Sequence, residues 1–369
     1  MVDDSKGAYG GKRALRRGWT TGACAAAAAR AAYTALLSGS FPNPVMIRLP
    51  GGIQPAFALA LQEKRGATAR AGVIKDAGDD PDVTHGALVI AELAETAPGS
   101  GISFRAGAGI GTVTKPGLTL AVGEPAINPA PRALIAEMLS EVARAAGRAA
   151  ADASVTLSIP GGEKLAAKTL NARLGIVGGL SILGTTGIVI PYSCSAWLHS
   201  IHRGIDVARA MGCTHLAAST GSVSERAIQR LYALPDEALI DMGDFAGATL
   251  KYLRRHPVPR LTLAGGFGKF AKLAQGSLDL HSGKSDVDVA ALARLLADSG
   301  APPAIVDAAK KAAGAGEALS AATPAFAPAL AHGVASRARA VALATLAGEI
   351  AVEVAIFDRQ GALLGRAGG

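Results

Sequence analysis

Four carboxylates, Asp76, Asp79, Asp80 and Asp82, share the segment VIKDAGDDPDVTHG (Val73–Gly86) with Lys75 and His85, directly after a short apolar run. A turn alone does not require that much polar chemistry. The D-x-D-x-D-G spacing of a calcium loop is absent, and a metal site is the weaker reading. Asp82 fits an Asp/Gly/Pro turn, whereas Asp76, Asp79, Asp80 and His85 read as ligand-facing catalytic candidates and Lys75 as a binding candidate. Upstream, GWTTGACAAAAARAA (Gly18–Ala32) places Thr20, Thr21 and Gly22 at the tip of a long helix. Free N–H groups and the positive dipole end there suit a ligand carboxylate. Simple N-capping by Thr20 or Thr21 has the same sequence signature. In GEPAINPAPR (Gly123–Arg132), three prolines stiffen a segment that ends in Arg132 at a helix start. That arginine can pin a carboxylate or stand as an exposed helix-terminal charge. Thr185 and Thr186 lie in KTLNARLGIVGGLSILGTTGIVIPYS (Lys168–Ser193), whose dense glycines disfavour regular structure and point to backbone closely approaching a bound molecule or another segment.

The second half carries nucleotide-like signals. In ASTGSVSERAI, a strand leads through Gly221 and Ser222 into a helix, as in the phosphate or adenosyl turn of a Rossmann-like unit. Ser222 and Glu225 also match an S-x-x-E capping box. Asp241 stands about twenty residues beyond Gly221, the spacing at which such domains place an acid on ribose hydroxyls. Gly265, Gly266 and Gly268 belong to LAGGFGKFAKLAQG, which fails the phosphate-loop pattern because Leu263 and Phe270 occupy its first Gly and its Ser/Thr positions. The GKS at Gly283 fails as well, so an ATPase is disfavoured. GAGIGTVTKPGL (Gly107–Leu118) lacks a helix after its last glycine and reads as a loop, not a dinucleotide fingerprint.

The elements that must position these residues divide the chain. At 369 residues two domains are expected. The fold class is α/β and α+β: a mixed α+β domain over 18–187 that carries the substrate candidates, then a Rossmann-like parallel α/β domain over 188–369 with a C-terminal extension. Residues 1–17 read as a flexible tail. Strands at Ile188–Pro191, Thr214–Ala218, Leu239–Asp241 and Leu261–Ala264 alternate with helices starting near Ser195, Ser222, Asp244 and Gly268. The stretch Gly314–Pro328, rich in Ala, Gly and Pro, reads as a loop. Aromatics are only 4% of the chain, and its +8 charge is scattered, without the interleaved stacking platforms of single-strand binders. Nucleic acid is therefore disfavoured, and a small polycarboxylate ligand fits the same charge. The longest apolar stretch, Gly22–Leu37, is broken by Arg30 and implies no membrane span. Three cysteines without C-x-x-C spacing indicate neither disulfides nor zinc and fit a reducing, cytoplasmic compartment.

Five phrases taken together carry a resemblance: TTGACAAAAA, KDAGDDPDVTHG, GEPAINP with its PR, GLSILGTTGIV with PYS, and GGFGKFAKLAQG with His281 and Ser282 nearby. In this order, over roughly Gly18–Leu296, they are similar to the signature series of the cobalt-precorrin-5B C-1 methyltransferase family (CbiD). GGFGKFAKLAQG departs from the family's G-M-I-G-K form, and little matches beyond about Ser299. The resemblance implies S-adenosylmethionine as methyl donor and an anionic cobalt-tetrapyrrole, cobalt-precorrin-5B, as substrate, methylated at C-1 to cobalt-precorrin-6A in the anaerobic route to cobalamin. Cobalt then belongs to the substrate, and no protein-bound metal is required. Attack of an electron-rich ring carbon on a sulfonium methyl needs in-line placement and exclusion of water more than an acid or base. Asp76, Asp79, Asp80 and His85 become candidates for orienting the macrocycle or tuning its charge. The competing readings are another tetrapyrrole-modifying enzyme and a non-catalytic nucleotide-binding regulator; the regulator leaves the Asp-rich loop unexplained. A homo-oligomer and transient contact with neighbouring pathway enzymes stay open.

Overall fold

A helix built on the run Ala25–Ala29 has little side-chain bulk on any face, so it is held only where neighbours approach closely from several sides. In the computed structural model, which describes residues 14–369, this run lies in α1 (Thr21–Ser38), entered from strand β1 (Gly18–Trp19). Ala23 to Ala29 are fully buried.

The chain divides between Cys194 and Ser195 into two units. In the first, α1 packs on a five-stranded sheet and on a second helix. Two small strands, β2 (Val45–Met46) and β3 (Ala56–Phe57), pair with each other. The main sheet follows with β4 (Leu61–Arg65), β5 (Thr68–Ile74), β6 (Leu88–Glu95) and β7 (Ile102–Ala106). After β8 (Thr112–Val113) come the second helix, α2 (Pro129–Ala145), then β9 (Ala153–Ser158) and α3 (Gly162–Ala166). The sheet order is β4-β5-β6-β9-β7, antiparallel except for the parallel β7–β9 pair. Along β9, Ala153, Val155 and Leu157 are buried and their neighbours are not, the period-two pattern of a sheet with one covered face.

The glycine-dense stretch is more regular than its composition suggests. β10 (Ile176–Val177) pairs with β8, and β11 (Ile188–Val189) pairs antiparallel with β1. The strand expected at Ile188–Pro191 as the first of a parallel sheet is therefore part of the first unit. Of the expected tail, residues 1–13 lie outside the described residues, and Arg16 is tied to the Asp-rich loop.

The second unit begins within α4 (Cys194–Ala210), one residue into the helix, and continues with β12 (His215–Ser219), α5 (Ser222–Tyr232) and, after a short 3-10 turn, β13 (Leu239–Asp241). Then come α6 (Ala246–Arg255), β14 (Arg260–Gly266), α7 (Phe267–Ala274), α8 (Val289–Asp298), α9 (Pro303–Lys310), α10 (Ala315–Ala321), α11 (Thr323–Leu346), β15 (Ala351–Phe357) and β16 (Leu363–Ala367). The sheet order is β13-β12-β14-β15-β16, the first four parallel and β16 antiparallel at the edge. Both faces are covered. Leu216, Ala218, Leu261, Leu263, Val352 and Val354 join the larger core with α6 and α11, whereas Ala217, Ala264 and Ala355 pack with Ala227 and Ile228 of α5. Two-sided burial explains why these strands read as continuous apolar runs. The chain moves from β12 to β13 on one side and then to β14 on the other. This reversal of strand order makes the carboxyl ends of β12 and β14 the switch point at which open α/β sheets bind ligands.

The loop expected over Gly314–Pro328 is instead α10 and the start of α11, with Pro328 inside the latter. Leu330, Val334, Ala338, Ala342 and Leu346 repeat at helical spacing on its buried side, and that burial outweighs the helix-breaking composition.

Candidate functional site

In the first unit, the Asp-rich loop fastens the segments on either side of it. Asp76 forms a two-point ion pair with the Arg16 guanidinium, its Oδ1 accepting Nη2–H at 2.8 Å and also the Gly78 N–H at 2.9 Å. Arg16 and the turn N–H hold the Asp76 carboxyl down to about 2. Asp79 accepts the Arg16 backbone N–H at 2.7 Å. Asp80 accepts the N–H of Tyr192 at 2.8 Å, a residue with φ of 56°, held in left-handed backbone that a bulky side chain rarely adopts. Gly18 lies directly beneath the loop: a Cβ there would fall 2.0 Å from the Ala77 carbonyl carbon. His85 is exposed, and its Nδ1 accepts the Ala77 N–H at 3.1 Å, so in the neutral ring Nε2 carries the proton.

Lys75 is 2% exposed, and its ammonium contacts Asp82 and, at 2.5 Å, the Thr84 hydroxyl. Burial alone would push the Asp82 carboxyl up, but the Lys75 charge and the Thr84 hydrogen bonds bring it below the ordinary range. Asp82 is thus more than a turn residue, and Lys75 is its internal counter-ion.

Thr20 is the N-cap of α1, accepting the Ala23 N–H at 3.2 Å. The Gly22 N–H donates to the Leu183 carbonyl at 3.2 Å and Thr20 N–H to that of Gly187 at 2.9 Å. Gly22 has no room for a Cβ, which would lie 2.9 Å from Pro131, and Thr21 is buried. Loop 183–187 therefore covers the helix tip and leaves Thr185 and Thr186 exposed on its outer side. Arg132 turns inward: Nε–H donates to the Ile127 carbonyl at 2.7 Å, Nη2 pairs with Glu124 at 2.6 Å, and the guanidinium lies 5.4 Å from the Phe104 ring centre.

In the second unit, loops at the carboxyl ends of three parallel strands converge. Lys269, in the first turn of α7 after β14, donates to the Thr220 carbonyl after β12 at 3.0 Å and pairs with Asp244 after β13 at 2.9 Å. Gly221 is the N-cap of α5 and Gly266 that of α7; a Cβ at either would meet nothing within 4 Å, so both face open space. Gly265 is needed for packing instead, since its Cβ would fall 2.5 Å from the Thr220 hydroxyl oxygen. Ser219 ends β12 fully buried, its hydroxyl without a partner. Asp241 ends β13, and its carbonyl accepts the Trp197 indole N–H at 3.1 Å. Beside them lies a cleft of about 410 Å³ lined by Asp244, Gly268, Lys269, Lys272, His281 and Ser282.

The capping-box expectation fails here. Ser222 is the first residue of α5 and makes no cap, because Gly221 takes the N-cap position; Glu225 is buried. Asp244 does not cap α6, whose N-cap is Phe245; its carboxylate faces Lys269. Sequence reasoning also missed Arg16, Tyr192, Lys269 and Lys272. The i, i+3 spacing of the two lysines in GKFAK was the available signal.

Among the described residues no group of three or more His, Cys, Asp or Glu is placed to hold a metal ion, and no helix is long and apolar enough to cross a membrane.

Comparison with known proteins gives a consistent result. The family model CbiD matches residues 8–191, and the model "CbiD, C-terminal domain" matches 279–368, which corrects the expectation that the likeness stops near Ser299. A Bradyrhizobium protein named cobalt-precorrin-5B C(1)-methyltransferase is 59% identical over 96% of this chain and 94% of its own. A protein of the same name from Paramagnetospirillum magneticum is 57% identical over 96% and 99%. A crystal structure of cobalamin biosynthesis protein (cbiD) from Archaeoglobus fulgidus shares 30% identity over 69% of this chain and 78% of that one, with a TM-score of 0.38. With more than half its residues shared along nearly its whole length, the chain belongs to the CbiD family.

Proposed function

We propose that the chain methylates C-1 of cobalt-precorrin-5B to give cobalt-precorrin-6A, using S-adenosylmethionine as donor. The observation that carries this reading is the near-full-length identity to proteins named cobalt-precorrin-5B C(1)-methyltransferase. The cobalt is part of the substrate.

The second unit offers a place that fits the donor, and we read its parallel sheet as Rossmann-like. Gly221 and Gly266 leave open space at the carboxyl ends of neighbouring parallel strands, and Ser219, at the end of β12 just before Gly221, holds a buried hydroxyl without a partner. When bound, the donor supplies an electrophilic methyl on its sulfonium. Asp241 is positioned at the end of β13 for the ribose hydroxyls, and the N-termini at Ser222 and Gly268 for polar groups of the donor. Gly265 keeps Thr220 in place, and Glu225 supports α5 from its buried side.

The first unit carries the macrocycle contacts in this reading. His85 presents Nε2–H to a substrate carboxylate or carbonyl. Asp79, Asp80 and the Asp76–Arg16 pair orient the substrate's charged rim, and Thr185 and Thr186 add hydroxyls from the loop over α1. Lys75, Thr20, Thr21, Gly22 and Arg132 act as positioning residues, since their polar groups are engaged within the fold or buried. Oriented approach and a dry site supply most of what a methyl transfer needs from the protein.

The deciding experiment is mass spectrometry of cobalt-precorrin-5B incubated anaerobically with the purified protein and S-adenosylmethionine. A gain of one methyl group is expected. No gain with intact substrate and a folded protein would overturn the assignment.

A further inference from the structure

Lys272 is nine-tenths buried, yet its ammonium pairs with no carboxylate among the described residues and donates only a long hydrogen bond, 3.3 Å, to the Leu280 carbonyl. A lysine ammonium has three donors, and a buried cation without a counter-ion is costly. Lys272 lines the cleft of about 410 Å³, a volume within the range of small-molecule sites. Lys269 lines it one turn earlier, paired to Asp244 at 2.9 Å. The charged lining is thus one carboxylate and two ammonium groups, and His281 and Ser282 line the cleft as well. A purely cationic pocket would take any anion, but an Asp beside two lysines matches a group carrying both signs.

We propose that this cleft binds the α-amino acid head of the sulfonium donor, its carboxylate on Lys272 and Lys269 and its α-ammonium on Asp244. This inference rests on the donor reading above and deepens it. A zwitterion set against the Lys269–Asp244 pair creates an alternating arrangement of four charges, and its carboxylate supplies the counter-ion that Lys272 lacks. The position is consistent with the adenosyl contacts proposed for the same unit. Asp244, Lys269 and Thr220 lie just beyond β13, β14 and β12, and the loops they tie together also carry Asp241, Gly266 and Gly221.

The test compares two ligands by calorimetry on the whole protein: S-adenosylhomocysteine, which carries the amino acid head, and 5′-methylthioadenosine, which lacks it. Lys272→Met and Lys269→Met should each weaken S-adenosylhomocysteine by at least about tenfold, the scale of a lost charge-assisted hydrogen bond, and leave 5′-methylthioadenosine unchanged. Asp244→Asn should also weaken S-adenosylhomocysteine selectively. Lys269 is part-exposed, so its variant keeps the test valid if Lys272→Met does not fold. Equal losses for both ligands would reduce the lysines to loop supports and overturn the proposal. If the lysine variants change neither ligand while Asp241→Ala weakens both, the amino acid head lies elsewhere and the proposal falls with the adenosyl site intact. If none of the variants affects either ligand, the donor reading of this unit fails as well.

Discussion

Lys75 and Asp82, seven positions apart, form an ion pair in which the lysine side chain is 2% exposed and the carboxylate 23%. Breaking such a pair from one side strands a buried charge, whereas replacing it with apolar groups of similar size can be nearly neutral. Asp82→Ala should therefore destabilise the first unit by about 3–5 kcal/mol, and the double change Lys75→Met/Asp82→Leu should recover much of that loss. Urea denaturation of the three proteins measures it; a double variant no better than Asp82→Ala would show that Thr84 and packing, not the unpaired charge, set the cost.

The same loop should govern acid stability. Asp82 and Asp76 both have carboxyls held below the ordinary carboxylate value, Asp76 at about 2. A depressed folded value means that the stabilisation is fully present above the unfolded value near 3.8 and is lost as pH falls through the folded one. The first unit should lose stability between about pH 4 and pH 2, and Asp76→Asn should flatten part of that decline. Thermal melts across this window check it, and an unchanged slope in Asp76→Asn would remove Arg16–Asp76 from the account.

Asp79 and Asp80 each accept one backbone N–H, from Arg16 and Tyr192. Asn keeps an acceptor there and removes the charge; Ala removes both. If the charge serves the substrate, Asp79→Asn and Asp80→Asn should lower turnover several-fold while melting temperature and S-adenosylhomocysteine affinity stay near wild type. Turnover equal to wild type in the Asn variants, with a loss only in the Ala variants, would make both residues struts of the loop.

How far all this was legible in the sequence depended on whether local pattern and tertiary packing agreed. The strands at Leu239–Asp241 and around Leu261–Ala264 were readable because two-sided burial leaves continuous apolar runs bounded by glycine and aspartate. Gly314–Pro328 was not: its composition says loop, but Leu330 and Val334 bury one side of α11 and hold the preceding turns helical. The Asp-rich loop announced itself by carboxylate density, yet nothing local reveals that Asp76 answers Arg16, 60 positions away, or that Asp80 answers Tyr192, 112 away. Lys269 and Lys272 were hidden by a motif that fails the phosphate-loop test; only the sheet order shows that their loops meet those of Thr220 and Asp244.

The second unit should respond to mild acid. Burial, aided by Arg260, lowers the pKa of His215, whose Nε2 lies 2.8 Å from the Thr262 hydroxyl near Glu353. Burial and His199 lower that of His202, stacked on Tyr252 at 3.9 Å with Asp206 and His256 nearby. A depressed histidine is stabilising above its unfolded value near 6.5, and this contribution is lost as pH falls below it, because the unfolded chain takes up the proton more readily. The melting temperature should fall between about pH 6.5 and pH 5, above the range where carboxylates titrate, and His215→Gln/His202→Gln should flatten the fall. A wild-type profile that is flat or rises towards pH 5 would sink the idea.

Asp241 offers the sharpest test of where the donor's ribose lies. It ends β13, next to β12 in the sheet, and its own carbonyl is fixed by the Trp197 indole N–H. That bond is made by the backbone carbonyl, which Asp241→Ala keeps. Asp241 has no part in capping α6, which begins at Ala246 after an N-cap at Phe245. A carboxylate accepting ribose hydroxyls should contribute about 1.5–3 kcal/mol to donor binding, the range for hydrogen bonds to charged groups. Calorimetric titration of Asp241→Ala should therefore show at least a tenfold loss for both S-adenosylhomocysteine and 5′-methylthioadenosine, since both carry the ribose. Wild-type affinity for both would move the adenosyl group away from β13, towards the open backbone at Gly266.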